Sequence, residues 1–569
     1  MFEALKNKLN WKSFFLFGIV IVVVYLTLIP IVMMIFGSFK DGPPGTESAF
    51  TLQNYVKAFS NPHIYGSALN SLVFSLGGGS LAFTIGCFLA WITERTNVPL
   101  KGLIYAAVLI EIMIPGILET ISLVLLFDPK IGLVNVYLMR FFGLDAPPFN
   151  IYSMGGMIWA FAAGTFSTSF LLMAAALRSM DPSLEEAAIM SGTGTVKTFF
   201  LVTLRICFPA MLATWLLLFI RGVETFEQPA ILGLPAGITV LATEIYLAAS
   251  EPPTNFNLAS TFAMVYLLVA LGGLYLYFRA TRYSEKYAVI TGKGYRPLVI
   301  DLGSVRYLMS GFVLLLLTVV LFLPIFVILY ASFLPWYGVP SAKMFQLMSL
   351  DNYRWLMTYD TVLRALKNNL VVGLGSATIA AFLTSVIAWI VIRTEIPGRR
   401  LLDALAFAPI AIPGILFGLA LIWLYLTIPI PVYGTLWILL IAYVSKYMPI
   451  PMRACSAAIT QVHKELEDAS EMCGGSWWFT FSRVLVPLIM PGLFVGWVYV
   501  LTLSFKVLSL PILLGSAGNE MVPVLIFDLY EGGQYTRLNA LGVVVVAIVT
   551  LMTLIARRIS KRFGIEEVR

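Results

Sequence analysis

Long apolar runs separated by short polar breaks dominate the chain, and the length of those runs sets its architecture. A helix that crosses a bilayer needs about 20 consecutive, mostly apolar residues. Runs of that kind predict helices near residues 14–36, 68–92, 103–127, 153–177, 206–223 and 258–279, then 307–333, 366–392, 402–427, 433–458, 485–508 and 538–557. The expected fold is all-α and polytopic, with about twelve membrane spans.

The polar breaks orient these spans. Arg95 and Lys101, then Arg279, Arg282, Lys286, Lys293, Arg296 and Arg306, then Arg393, Arg399 and Arg400, and finally the tail "ARRISKRFGIEEVR" all fall on one side. Lys and Arg accumulate in cytoplasmic loops, so both termini are predicted to be cytoplasmic. The alternate breaks are poorer in Lys and Arg and carry Glu224, Glu227, Glu251, Asp360, Asp528 and Glu531. The first apolar run is too long for a signal-peptide core and lacks a small-residue cleavage site, so it reads as a retained span. Composition agrees: 59% of the 569 residues are hydrophobic and 12% charged, against roughly a quarter charged in soluble domains. The net charge of +7 reflects the cytoplasmic loops and does not point to nucleic acid. Cys87, Cys207, Cys455 and Cys473 form no C-x-x-C pair, and the histidines are His63 and His463. No metal site and no cofactor is expected from that set.

The chain repeats itself. "ALNSLVFSLGGGSLAFTIGCFLAWITERTNVP" from Ala68 is matched by "NNLVVGLGSATIAAFLTSVIAWIVIRTEIP" from Asn368, so that Trp91 pairs with Trp389, Arg95 with Arg393 and Pro115 with Pro413 at an offset of 298. Asn54-Tyr55 and Asn352-Tyr353 keep that offset. Beyond the third span the offset falls to 282, pairing Gly192 with Gly474, Phe199 with Phe481, Pro209 with Pro491 and Gly233 with Gly515. The first half therefore carries about sixteen extra residues, expected in the external loop around "YLMRFFGLDAPPFN". The expected halves are 1–295 and 296–569, six spans each, related by a pseudo-two-fold axis along the membrane normal.

A cytoplasmic loop in each half carries the most distinctive motif. "EEAAIMSGTGTVKTFF" from Glu185 suggests a phosphate-binding loop, but placing a Walker A lysine on Lys197 puts Val196 and Ser191 where glycines must cradle the phosphates. Its counterpart is "EDASEMCGGSWWFTFSRVLVPLIMP". Both share an acidic start, small residues, a glycine six positions on and a later proline: Glu186-Ala187-Ala188, Gly192 and Pro209 against Asp468-Ala469-Ser470, Gly474 and Pro491. Ser183 to Glu186, after Asp181-Pro182, has the form of a capping box, and Gly192 that of a helix stop. A short helix with a lightly packed face is expected in each loop, suited to docking in a partner's groove.

The paired pattern resembles the EAA loop of inner-membrane permeases in binding-protein-dependent ABC importers, and the doubled chain resembles the fused permeases of the ferric-iron and thiamine type. The resemblance implies that Glu185, Glu186, Ala187, Ala188 and Gly192 in the loop 181–209, and Glu467, Asp468, Ala469, Ser470 and Gly474 in the loop 463–491, couple the chain to two copies of a cytoplasmic ATPase subunit. It also implies a periplasmic or lipid-anchored binding protein, the bacterial inner membrane as location, no catalysis by the chain itself, and ferric iron ahead of thiamine, phosphonates or polyamines as substrate. The second copy departs in Asp468 and Ser470, and Arg205 replaces the proline kept as Pro487.

Ionisable residues in spans are costly and mark pathways. Glu111 and Glu119 have Pro409 and Phe417 at their repeat positions, Glu227 lies close by, and Glu224 has Lys506. A gating ion pair between Glu224 and Lys506 is therefore expected near the outer end of the pathway. A secondary active transporter with two parallel six-helix repeats accommodates the same topology, but does not require paired helix-and-glycine loops. A membrane scaffold accounts for the hydrophobicity alone.

Overall fold

The computed structural model describes residues 11–180, 183–284 and 299–562. The expected boundary between halves, Lys286, Lys293, Arg296, Asp181-Pro182 and both extreme termini lie outside them. Among the described residues there is no strand, only two isolated bridge pairs, Lys40 with Phe50 and Thr96 with Ile300.

Eight helices are long and apolar enough to span a membrane: Phe17–Ser38, Pro62–Arg95, Leu201–Glu224, Phe256–Arg279, Val305–Ser332, Asp360–Arg393, Trp477–Lys506 and Tyr535–Ala556. Each corresponds to a predicted span. Four more elements are broken pairs, giving up to twelve. Lys101–Met113 and Gly116–Phe127 meet at 107°, and Arg399–Ala411 and Gly414–Thr427 at 112°. Both breaks carry the sequence Ile-Pro-Gly, in which proline removes a donor and disfavours helix in the residue before it. Met154–Ala163 and Phe166–Ser179 meet at 49°. The predicted span at 433–458 divides into Leu436–Tyr447 and Pro449–Gln461.

Hydropathy missed one element. Pro229–Ala236 and Leu241–Ser250 meet at 83°, and Pro511–Leu514 followed by Val522–Glu531 takes the equivalent place in the second half. Each of these pieces is too short to register as a span.

The repeat is visible in detail. Asn54 Nδ2 donates to the carbonyls of Ser38 and Lys40 at 3.0 and 2.7 Å; Asn352 Nδ2 donates to those of Ser332 and Leu334 at 2.9 and 2.8 Å. Ser153 and Thr435, 282 apart, both cap helices with their side chains. Between Phe127 and Ser153 lie 25 residues, where nine lie between Tyr425 and Thr435. The surplus holds the helix Leu133–Phe142, so the extra sixteen residues sit where the offset placed them.

The first helix of each half crosses to the other. Phe17–Ser38 packs on the second half's bent element: Tyr25 Oη donates to Tyr425 Oη at 3.0 Å, and Gly37 lies so close to the Trp423 ring that a Cβ there would meet it at 2.2 Å. Conversely, Leu323–Ser332 packs on Gly116–Phe127, and Tyr337 Oη donates to the Leu125 carbonyl at 2.5 Å. One continuous buried apolar core runs through both halves.

Small residues let backbones approach closely in membranes. At Gly86, in the C-terminal half of Pro62–Arg95, a Cβ would stand 2.4 Å from the Phe166 carbonyl oxygen and 2.4 Å from Ser169 Cβ. Gly86→Leu should therefore destabilise the purified protein by about 1–3 kcal/mol through overpacking, read as a lower thermal midpoint in detergent. An unchanged midpoint would contradict this packing.

Candidate functional site

In each half a short helix follows the fourth span: Ser183–Met190 in the first and Glu465–Met472 in the second. Both end in left-handed glycines, Gly192 at φ 85° and Gly474 at φ 84°. Gly192 N donates to Ile189 O and Thr193 N to Ala188 O at 2.9 and 3.1 Å; Gly474 N donates to Glu471 O and Gly475 N to Ser470 O, each at 2.9 Å. These paired bonds form the helix stop that the glycine spacing predicts, a Schellman arrangement.

The carboxylate that holds each helix is the one before the residue emphasised by the motif. Glu185 and Glu467 are buried, whereas Glu186, Asp468, Ala187 and Ala469 are exposed. Glu185 Oε2 lies 2.9 Å from Arg95 Nη1, and Glu467 Oε1 lies 2.7 Å from Arg393 Nε. Both arginines stand at the ends of the 34-residue helices Pro62–Arg95 and Asp360–Arg393. Each also donates to nearby backbone: Arg95 Nη2 to Leu177 O at 2.9 Å, and Arg393 Nη2 to Ile459 O and Val462 O. One guanidinium thus ties together the long helix, the end of the fourth span and the loop helix, a use suited to its fixed fork of donors.

The second oxygen is satisfied differently in the two halves. Thr203 donates to Glu185 Oε1, while Trp389 Nε1 donates to Glu467 Oε2 at 2.9 Å. The position equivalent to Thr203 is Leu485, and Trp91, equivalent to Trp389, has an indole nitrogen with no partner among the described residues. Among the described residues, only the first half's long helix has a strand-like pairing at its end: Ile300 donates to Arg95 O at 2.8 Å and accepts from Asn97 N at 3.2 Å. Outward from each socket project Leu184 and Leu466, 50% and 48% exposed, and Met190 and Met472, 89% and 88% exposed. These pairs are each 282 apart.

The expected Glu224–Lys506 pair does not form. Glu224 Oε1 is 2.7 Å from Lys446 Nζ, and Lys506 instead donates to the Ile112 carbonyl. The pseudo-two-fold explains the exchange: equivalent residues occupy equivalent environments, and each reaches a break of the opposite half, Lys506 directly at Ile112 and Glu224 through Lys446. Lys446 Nζ also donates to Pro409 O and Ile412 O at 3.2 and 2.6 Å, so its three protons all have acceptors. Its repeat position is Gly164, and the space left by the missing side chain is taken by Glu119, whose Oε2 would lie 2.5 Å from a Cβ there. Glu111 hydrogen-bonds Ser167 and stands within electrostatic reach of Lys506 and Arg221. Glu119 faces Glu111 and Lys506. Glu227 Oε1 accepts from Leu508 N at 3.2 Å, across the halves. No group of three or more His, Cys, Asp or Glu with metal-binding geometry occurs among the described residues.

Sequence reasoning missed three participants. Arg95 and Arg393 read as repeat markers and loop charges; that Arg95/Arg393 and Glu185/Glu467 each keep their charge at equivalent positions of the repeat is the signal that points to them. Lys446 lies inside the predicted span 433–458, where any lysine is a signal in its own right.

Residues 392–564 match the family described as binding-protein-dependent transport system inner membrane component. The chain is 26% identical over 483 residues to the putative ferric transport system permease protein FbpB 1 of Haemophilus influenzae, covering 84% of this chain and 73% of that one. It is 25% identical over 550 residues to the ferric transport system permease protein FbpB of Actinobacillus pleuropneumoniae, covering 95% and 77%. A putative 2-aminoethylphosphonate transport system permease protein PhnV of Salmonella typhimurium is 29% identical over 252 residues, 44% of this chain but 92% of that one, as expected of a half-length relative of a duplicated chain. With the paired sockets and the twofold helical repeat, these matches define a transmembrane permease. The chain is the permease component of an ABC importer, with both halves fused into one polypeptide.

The two sockets differ in burial: the Arg95 and Glu185 side chains are 2% and 6% exposed, those of Arg393 and Glu467 12% and 11%. Removing one partner from a buried pair strands the other charge, at a cost of about 3–5 kcal/mol. Arg95→Met should lower the thermal midpoint more than Arg393→Met, and the double change Arg95→Met with Glu185→Leu should recover most of the loss. Equal effects in the two halves would refute the difference between sockets.

Proposed function

We propose that this permease imports ferric iron, with Glu185 to Gly192 and Glu467 to Gly474 as its contacts with two copies of a cytoplasmic ATPase subunit. The observation that carries the coupling role is the repetition, in both halves, of one construction: a buried carboxylate holding a short helix against the end of a long span while Leu and Met project from its outer side. Leu184, Met190, Leu466 and Met472 have the size and exposure of apolar knobs for grooves on a partner. The small residues Ala187, Ala188, Ala469 and Ser470 let that partner's surface approach the helix backbone.

In this reading the halves are 1–295 and 296–569, both termini are cytoplasmic and the membrane is the bacterial inner membrane. A binding protein on the far side delivers the cargo, and ATP is hydrolysed only in the separate subunits. When those subunits close, each loop helix moves as a lever, because its Arg–Glu pair transmits force to the 34-residue helix behind it. The full-length ferric permease relatives support iron as cargo. The paired sockets favour an ATPase-driven permease over a secondary transporter, which has no use for them.

The test is co-expression with the ATPase and binding protein, followed by reconstitution into vesicles. Replacing Leu184 and Leu466 together by Asp should abolish co-purification of the ATPase while leaving the permease folded and monodisperse. Uptake that persists without the ATPase would overturn the ABC mechanism, and uptake of another cargo with no ferric iron transport would overturn the substrate.

A further inference from the structure

The two breaks in the bent elements expose carbonyl groups within the membrane, and each is met by a lysine of the second half. At Pro409–Ile412 that lysine is Lys446, which bonds two carbonyls and Glu224 of the first half. At the equivalent break of the first half it is Lys506, bonded to Ile112 O. The first station is balanced, because one lysine meets one carboxylate and every ammonium proton has an acceptor. The second is not.

Lys506 stands before two carboxylates, Glu111 and Glu119, each 4% exposed. Glu111 Oε2 and Glu119 Oε1 have no hydrogen-bond partner among the described residues. Arg221, the other cation near Glu111, sends Nη1 to Thr168 Oγ1 at 3.3 Å. A buried carboxylate oxygen left without a donor is costly, and such groups persist in membranes where they serve a pathway. Gly164 supports the arrangement sterically, since any larger side chain would displace the Glu119 carboxylate.

We infer that Glu111 and Glu119 form a transit station for a hard, oxygen-seeking metal cation, with Lys506 as the tethered counter-ion that holds the station between cargo ions. Carboxylate oxygens match the preference of such cations. Lys506 supplies positive charge when the pathway is empty and withdraws when the cargo takes its place. No covalent or redox step is involved. Lys446 takes no part, because its acceptors leave it no freedom; it fixes the opposite break. The inference rests on the iron reading, since a neutral or anionic cargo would gain nothing from this pair.

Two measurements test it on the full chain. In vesicles holding the permease, its ATPase and the binding protein, Glu111→Gln and Glu119→Gln should each still assemble with the ATPase yet lower ferric uptake by about tenfold, the effect of losing a single contact of ordinary strength. In nanodiscs of zwitterionic lipid, Lys506→Gln should acquire saturable Tb3+ luminescence that is lost when Glu111→Gln and Glu119→Gln are added. Unchanged uptake in both glutamine variants, or no glutamate-dependent Tb3+ binding in Lys506→Gln, overturns the station. If wild-type vesicles fail to take up ferric iron, the iron reading falls by itself, and the Tb3+ measurement still decides whether the pair binds a trivalent cation.

Discussion

A carboxylate buried at the membrane edge must have a cation beside it, and that requirement organises both halves of this permease. Glu185 and Glu467 cannot leave their sockets without stranding Arg95 or Arg393. Because each arginine also binds backbone at the end of the fourth span, the loop helix, that span and the long helix move together or not at all. The exposed side of the helix is then free to be chosen for contact. This division of labour explains why the motif's small and exposed positions differ between copies while the buried acid does not.

The duplication preserves geometry more strictly than chemistry. Loop helices, glycine stops, bent elements and asparagine clamps recur, but the charges around the breaks do not. Half one supplies Glu111, Glu119, Glu224 and Glu227; half two supplies Lys446 and Lys506. The carboxylates near the breaks thus lie in one half and the lysines that meet them in the other, with Arg221 of the first half beside Glu111, an arrangement that a symmetric pair of identical subunits could not provide. Fusion of the halves thus allows an unequal set of charges to be maintained in a fixed register.

Most of the fold was legible in the apolar runs, because span length is set by bilayer thickness and needs no tertiary information. The loop helices and their stops were legible because glycine chemistry is local, and the repeat arithmetic located the sixteen-residue surplus between Phe127 and Ser153. What stayed hidden depended on long-range packing. The right-angle bends follow from Ile-Pro-Gly only once neighbours accept the turned chain. The elements at Pro229–Ser250 and Pro511–Glu531 are too short for a hydropathy window. The Glu224 partner was misassigned because a pseudo-two-fold relates residues without bringing them into contact, and Lys446 had no counterpart to draw attention to it.

The crossing of the first helices has a bearing on biogenesis. Phe17–Ser38 is the earliest described span to leave the ribosome, yet its packing partners Trp423 and Tyr425 belong to the second half's bent element, residues 399–427. Until those residues are made, the helix has Phe256–Ser284 to pack on, but its face for the second half stays in lipid. A chain truncated before the second bent element would therefore leave the first span seated only on Phe256–Ser284 of its own half, giving quality-control machinery a simple mark of incompleteness.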